Sequence, residues 1–562
     1  MTNAKAINSH ARDTWLLASA AAAGWCTAVL LVGVTGVLIA QGHDGLAYTL
    51  GVSGAVFLWA ALFVPAMAGS PGAASIPAYL SVRHASPATG SLSSLVLLMA
   101  LAGLLAAELT ALAGVLGLAG LAAPLALAVT IAVAAAGFAL AASGHAGTNA
   151  AAIFAALIAI VLLTALVAVS YRDGPGALVS IPAMGGIAGL EQTLLEKRLA
   201  DPATFKPHAV PFLRTDALNF AMLIVCLSLG LALLASPPVA QASANSSQSA
   251  KPANRALLIV IGILMLLPPL AAAAKRALLA LFGSGVRPGA LPDWMTAALQ
   301  AGLLQICGSP SVDPATLAKA CGKGVGPQGL MRWHEAVFAS DALLFAGIQA
   351  AAPAATILFA AIAALTVIAT LWTAHRIASL AIGVSAAHLS APALSKPLAL
   401  LILLAAVLIA YAKPADTVTL MTWSASLAAA ALAPAMLAAI FASKPSALAA
   451  NAAILVGAIT ALAMILATRY APLELASLTN ALASAPPSVA RKLSTLQEAW
   501  AAAAEGPGKD ALLAQAEKLA RDNLNWFGVK PVSAGIFGLA LGGIVVLAGA
   551  IGSSRTSGKA SK

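Results

Sequence analysis

Apolar runs of about 20 residues, separated by short segments carrying Gly, Pro or charge, recur from Trp15 to Ile551. At 1.5 Å per residue each run is long enough to cross a hydrocarbon layer about 30 Å thick. The pattern predicts twelve spanning helices, at 15–40, 46–68, 92–116, 121–142, 150–171, 216–236, 256–281, 353–389, 397–411, 416–441, 448–467 and 532–551. Three hydrophilic connections, 172–215, 283–340 and 468–531, are long enough for small extramembrane structures only. The runs are built from Ala, Leu, Val, Ile and Gly without polar alternation, which disfavours a β-barrel and predicts an all-α polytopic membrane protein.

Composition sharpens this reading. Of 562 residues, 61% are hydrophobic and 9% charged, against roughly 45–50% and about 25% in soluble domains. The lipid bilayer is therefore the main solvent. The formal charge of +11 comes without a cationic groove, an aromatic RNA motif or zinc-ligand spacing, so nucleic acid is not the expected partner.

Lys and Arg set the expected orientation. Alternating the connections places the N-terminus (1–14), the even-numbered loops and the tail (552–562) on one side, with Lys5, Arg12, Arg83, Lys251, Arg255, Lys396, Lys444, Arg555, Lys559 and Lys562 against the single acid Asp13. The opposite side mixes signs, as in Glu191, Glu196, Lys197, Arg198 and Asp201. The uniformly basic side reads as cytoplasmic, so both termini are expected inside a cell membrane. The segment before Trp15 is followed by no small-residue cleavage site, and the first helix reads as retained.

The connections carry little chemistry. Cys307 and Cys321 share the second outer loop, where a disulfide and two free thiols both remain open. The Ala-, Ser- and Asn-rich stretch within 237–255 is expected to be a cytoplasmic linker. Residues 488–523 repeat Leu and Ala at helical spacing and predict one or two amphipathic helices, as a cap or a surface for a small membrane accessory subunit. No C-x-x-C pair, His/Cys cluster or phosphate loop suggests an enzyme.

Several segments, in order, resemble the acetate-permease branch of the solute:sodium symporter family. They are Gly36-Val37-Leu38-Ile39-Ala40-Gln41-Gly42-His43-Asp44-Gly45, Ile76-Pro77-Ala78-Tyr79-Leu80-Ser81-Val82-Arg83-His84, Ala106-Ala107-Glu108-Leu109-Thr110, Asp216-Ala217-Leu218-Asn219-Phe220, Leu267-Pro268-Pro269, Asp341-Ala342-Leu343 and Trp526-Phe527-Gly528-Val529-Lys530-Pro531. The resemblance implies a core of two inverted five-helix repeats with solute and ions at broken helices near the midplane. It further implies cation-coupled transport of a small organic anion, a monocarboxylate in that branch, with the chain entering directly at the first core helix.

Carried over residue by residue, the implied sodium ligands are Ala23 and Cys26 of the first helix and Ala369 and Thr373 of the eighth. Trp372 stands where a second hydroxyl is expected, and an indole offers a cation no oxygen. His375 and Arg376 follow, at positions where an acidic and a small residue are expected. Sodium coupling is weakened on this reading, and titratable His375 raises the proton as an alternative coupling ion.

Independently of any family, Glu108, His375 and Arg376 are ionisable groups deep inside apolar helices, where each costs at least about 2.5–3.5 kcal/mol without water or a partner. A Glu108–Arg376 pair is one expectation; a guanidinium facing a solute carboxylate is another. Trp25, with Trp372, His375, Glu108 and Arg376, is a candidate wall of the solute path, ordinary packing being the plainer reading. Three functions remain open: a secondary transporter, a symporter paralogue kept as a structural subunit or sensor, and a proton-translocating subunit of a larger complex. The last is ranked behind because that class should carry charge on several separate spans, whereas intramembrane charge here is concentrated at Glu108, His375 and Arg376.

Overall fold

The computed structural model describes residues 14–68, 70, 75–144, 147–171, 183–200, 217–235, 250–307, 309, 311–321, 329–351, 356–388, 392–473, 487–503, 506–523 and 529–559. It is a helical bundle. The chain enters as α1 (Thr14–Ala23), unwinds over Gly24–Thr27, and resumes as Val29–Val34 continuing into Thr35–Gln41, together α2. Gly42, at φ 60° and ψ −128°, ends α2 in a conformation open to glycine. The chain then folds back into Leu46–Leu58, which runs on through Trp59–Phe63 to Val64–Met67, together α3.

There follow α4 (Ile76–Arg83), α5 (Pro87–Leu118), α6 (Ala123–Ala142), α7 (Thr148–Tyr171), α8 (Ala217–Ala235), α9 (Ala250–Leu264) and α10 (Leu267–Ser284). The second half contributes α11 (Ser340–Ala351), α12 (Thr356–His388), α13 (Pro392–Ala412), α14 (Thr417–Phe441), α15 (Ala447–Tyr470) and α16 (Gly535–Lys559). Among the described residues, 11 helical runs are long and apolar enough to cross a membrane. One of them, Val29–Met67, contains the reversal at Gly42 and so holds the later part of the first expected span and all but the last residue of the second. The chain is an all-α polytopic membrane protein.

Local chemistry explains the helix ends. Ser75, Ser86 and Ser446 each accept a backbone N–H three residues on, which caps α4, α5 and α15. Pro268 and Pro269 fall in the first turn of α10, where missing N–H groups cost nothing, and the chain breaks just before them at Met265–Leu266. This divides the span expected at 256–281. The expected linker 237–255 lies outside the described residues up to 249; from Ala250 onward the chain is already helical.

Burial ranks the helices. The apolar windows of α5 and α14 are 78% buried and form the centre, whereas those of α6, α13 and α16 are 22% buried and form the lipid-facing rim. α14 packs along α5, α8 and α15, and α3 lies along α8. Small residues permit the closest approaches: a Cβ on Gly230 would lie 2.0 Å from the Ala425 carbonyl oxygen.

The second outer connection is structured. Leu304–Ile306 pairs antiparallel with Ala336–Phe338, with Gln305 opposite Val337, and Cys307 is disulfide-bonded to Cys321. Immediately afterwards comes α11, an element absent from the sequence reading because it is too short for a span and lay between two predicted features. Its Asp341–Ile348 stretch is buried. The third connection forms two helices, Pro487–Ala502 and Pro507–Asn523, packed on each other.

Candidate functional site: the break in the first helix

The first helix breaks within Ala21-Ala22-Ala23-Gly24-Trp25-Cys26-Thr27. The last turn of α1 tightens to i→i+3 bonding, with Gly24 N on Ala21 O (3.1 Å), Trp25 N on Ala22 O (2.9 Å) and Cys26 N on Ala23 O (3.2 Å). A break inside a membrane leaves a set of carbonyls at one end and N–H groups at the other, and each must find a partner.

Those partners are two of the three ionisable groups singled out in the sequence. Fully buried Glu108, on α5, accepts the Ala28 N–H at 2.7 Å through Oε2 and the Val29 N–H at 3.4 Å through Oε1. Thr27 Oγ1 accepts the Leu30 N–H at 3.1 Å. Together they cap the start of α2 as an Asp or Ser caps a soluble helix, and the carboxylate faces the positive end of the α2 dipole. At the other end, Nη1 of Arg376 donates to the Gly24 carbonyl. The expected direct Glu108–Arg376 pair is therefore corrected: each ion holds a different end of the broken helix, and their attraction acts across the unwound segment.

Beside the break lies a small cavity of about 50 Å³. Its polar lining is Thr27, Thr373 and Arg376; Trp25, Leu101, Leu104, Leu231, Leu234 and Met421 supply apolar wall. Trp25 also meets Trp59 edge-on, with ring centroids 5.9 Å apart. Leu101 and Leu104 precede Glu108 on α5, Ile377 and Leu380 follow Arg376 on α12, and Leu234 and Ala235 end α8. The cavity thus runs from the break toward the side expected to be cytoplasmic.

The opposite side is shut by α11. A Cβ on Gly36 would stand 1.7 Å from the Ser340 carbonyl oxygen, and one on Gly33 would stand 2.9 Å from Val418 Cγ2 and 3.4 Å from Asp341 Oδ1. Asp341 accepts a hydrogen bond from Thr417, and the Ser340 hydroxyl reaches Asp416 at 3.4 Å. Here α2, α11 and α14 close on one another.

Helix α12 sorts its candidate residues by face. Thr373 and Arg376 line the cavity. Trp372 and His375 lie against each other, centroids 5.4 Å apart, and His375 meets the backbone of Gly137 on α6. Ala23, Cys26 and Ala369 are buried; the Cys26 thiol donates to Ala22 O at 3.5 Å. Sequence reasoning missed Gly24, Thr27 and Met421. A glycine followed by Thr inside an otherwise apolar run was the available signal for the first two.

The model of the sodium:solute symporter family matches residues 11–302. The chain belongs to the sodium:solute symporter family. The matched region covers the broken helix, Glu108 and the α8 wall of the cavity. Among solved structures it is similar to the substrate-bound outward-open state of a Na⁺-coupled sialic acid symporter, at 14% identity over 81% of this chain and 84% of that one, with a TM-score of 0.47. The curated proteins yield no match. As a member of this family the protein is a membrane transporter of the cation-coupled class, and its helices place it in the lipid bilayer.

Proposed function

We propose that this symporter-family member moves a small organic anion, of the monocarboxylate class, by cation-coupled alternating access, using two inverted five-helix repeats. The observation that carries the reading is the cavity at the broken helix, whose polar lining is one guanidinium and two hydroxyls. A carboxylate entering it meets a fixed positive charge in a low-dielectric wall, where a charge-assisted hydrogen bond is strong. The apolar remainder suits a short alkyl chain.

The two ends of α2 support alternating access. One is clasped by α11 and α14, and the other rests on Glu108 beside the cavity. Releasing the clasp while the second side closes would expose the cavity to the opposite face. Both termini are assigned to the cytoplasm on the basis of the Lys and Arg distribution, and the helix pair Pro487–Ala502 and Pro507–Asn523 offers a surface for a small accessory subunit.

The test is counterflow in proteoliposomes with a panel of short carboxylates, under imposed sodium or proton gradients. Saturable exchange of a monocarboxylate, lost in Arg376→Lys because an ammonium lacks the two-pronged donor geometry, is the expected result. Absence of exchange for every short carboxylate, with folded protein in the membrane, would overturn the proposal in favour of a structural or sensory paralogue.

A further inference from the structure

A sodium ion at the break would require oxygen ligands from Ala23, Cys26, Ala369 and Thr373. The residues present do not fit it. The Gly24 carbonyl, between the first two of these, is taken by the Arg376 guanidinium. A Cβ on Gly24 would lie 2.6 Å from Nη1 and 2.8 Å from Cζ of Arg376, so the guanidinium rests directly on the backbone of the unwound segment. Thr373, the one hydroxyl in the set, lies one turn before Arg376 on α12, on the same cavity-facing side. Trp372, where a second hydroxyl is needed, lies tilted against His375 instead.

We infer that the protein supplies its own cation at the broken first helix: Arg376, tied to the Gly24 carbonyl, occupies the place of sodium and excludes that ion from it. Three observations bear on this independently. A guanidinium supplies what the C-terminal end of α1 lacks, positive charge and N–H donors for a free carbonyl. Gly24 is the residue type that lets it approach, since any side chain there would collide with it. A sodium ion at the Ala23 and Cys26 carbonyls, either side of Gly24, would meet a like charge in a partly buried setting, where two unit charges roughly 4 Å apart repel strongly enough to weaken binding about a thousandfold.

The consequence rests on the proposed transport function. An anionic solute would be neutralised by a charge that stays with the protein. The binding claim stands without that function, because it concerns only Arg376 and sodium.

The experiment measures ²²Na⁺ binding and sodium-for-choline shifts in melting temperature on the purified full chain. The wild type is expected to show neither saturable binding nor a shift. Arg376→Gln, which removes the charge and leaves the Gly24 carbonyl exposed, should gain saturable binding; Arg376→Lys should stay insensitive, because it keeps a cation at the same carbonyl. Guanidinium ion added to Arg376→Gln should displace the bound sodium. Saturable sodium binding by the wild type would overturn the inference, as would folded Arg376→Gln that binds none. If Arg376→Gln does not fold, the wild-type measurement still decides, with Gly24→Ala, which pushes the guanidinium off its carbonyl, as the second variant expected to gain binding. Failure of carboxylate counterflow would leave all these readouts unchanged, so the two proposals fail separately.

Discussion

The Glu108 carboxylate accepts the backbone N–H of Ala28 at 2.7 Å, joining two residues 80 positions apart in the chain. It is a helix cap supplied by another helix. Loss of a charge-assisted hydrogen bond at a buried donor costs about 1.5–3 kcal/mol. Glu108→Ala should therefore lower stability by about that amount in thermal melts of the detergent-purified protein. Glu108→Gln, which retains an acceptor oxygen, should lose less. Because Glu108 and Arg376 hold different ends of the break, Glu108→Gln and Arg376→Gln together should be largely additive. Substantial recovery in the double variant would show that the two ions act mainly on each other.

Gly36 makes a different prediction. Its missing Cβ is what allows α11 to lie on α2, and the atom it would strike, the Ser340 carbonyl oxygen, is backbone and cannot swing aside. Gly36→Ala should hold α11 off the bundle and lower transport at least about tenfold, an effect of ~1.4 kcal/mol or more on the closed state. A cysteine placed at Ser340 should then label faster with an impermeant thiol reagent. Unchanged labelling and unchanged transport would show that the contact is not part of the closure.

His84 gives a pH dependence outside the spans. Its Nε2 lies 3.1 Å from the Ala435 carbonyl, while Arg83 donates to Ala439 O at 2.7 Å and Ala442 O at 3.1 Å, so the pair caps the end of α14. Burial holds the His84 pKa below its ordinary 6.5, outweighing backbone hydrogen bonds to Ala435 and Ser446 that favour the charged form. The folded state thus binds a proton less readily than the unfolded chain. The contribution is fully present above pH 6.5 and declines as the pH falls from there toward the folded-state value. His84→Ala should lose about 1 kcal/mol near pH 7.5 and show a flatter stability profile below pH 6.5 than the wild type. Parallel profiles would remove His84 as the source.

Much of this molecule was legible before any coordinates. The bilayer admits a short list of solutions, because every backbone group in hydrocarbon must be bonded internally; a run of apolar residues therefore reads almost directly as a helix. Where they are described, the twelve expected spans fall largely on helix, the first interrupted at Gly24–Thr27 and the seventh at Met265–Leu266, and the outer amphipathic stretch falls on Pro487–Ala502 and Pro507–Asn523. The same logic picked out Glu108 and Arg376, since an ion in an apolar helix is costly enough to need a reason. It could not find α11, whose 12 residues carry an ordinary composition and are buried only because α2, α10 and α14 surround them.

What the sequence by itself determined was the class of solvent, the helices and the residues under electrostatic stress. What the tertiary structure alone decided was the identity of their partners. The immediate neighbours of Glu108, Ala106, Ala107 and Leu109, offered it no polar side chain, and the sequence pointed toward Arg376. The actual partners are the N–H groups of Ala28 and Val29, which exist as free donors only because the first helix unwinds at Gly24. Backbone groups are the same at every residue, so no pattern of side chains can announce which will be left unpaired. That is fixed when two helices pack side by side and one of them breaks.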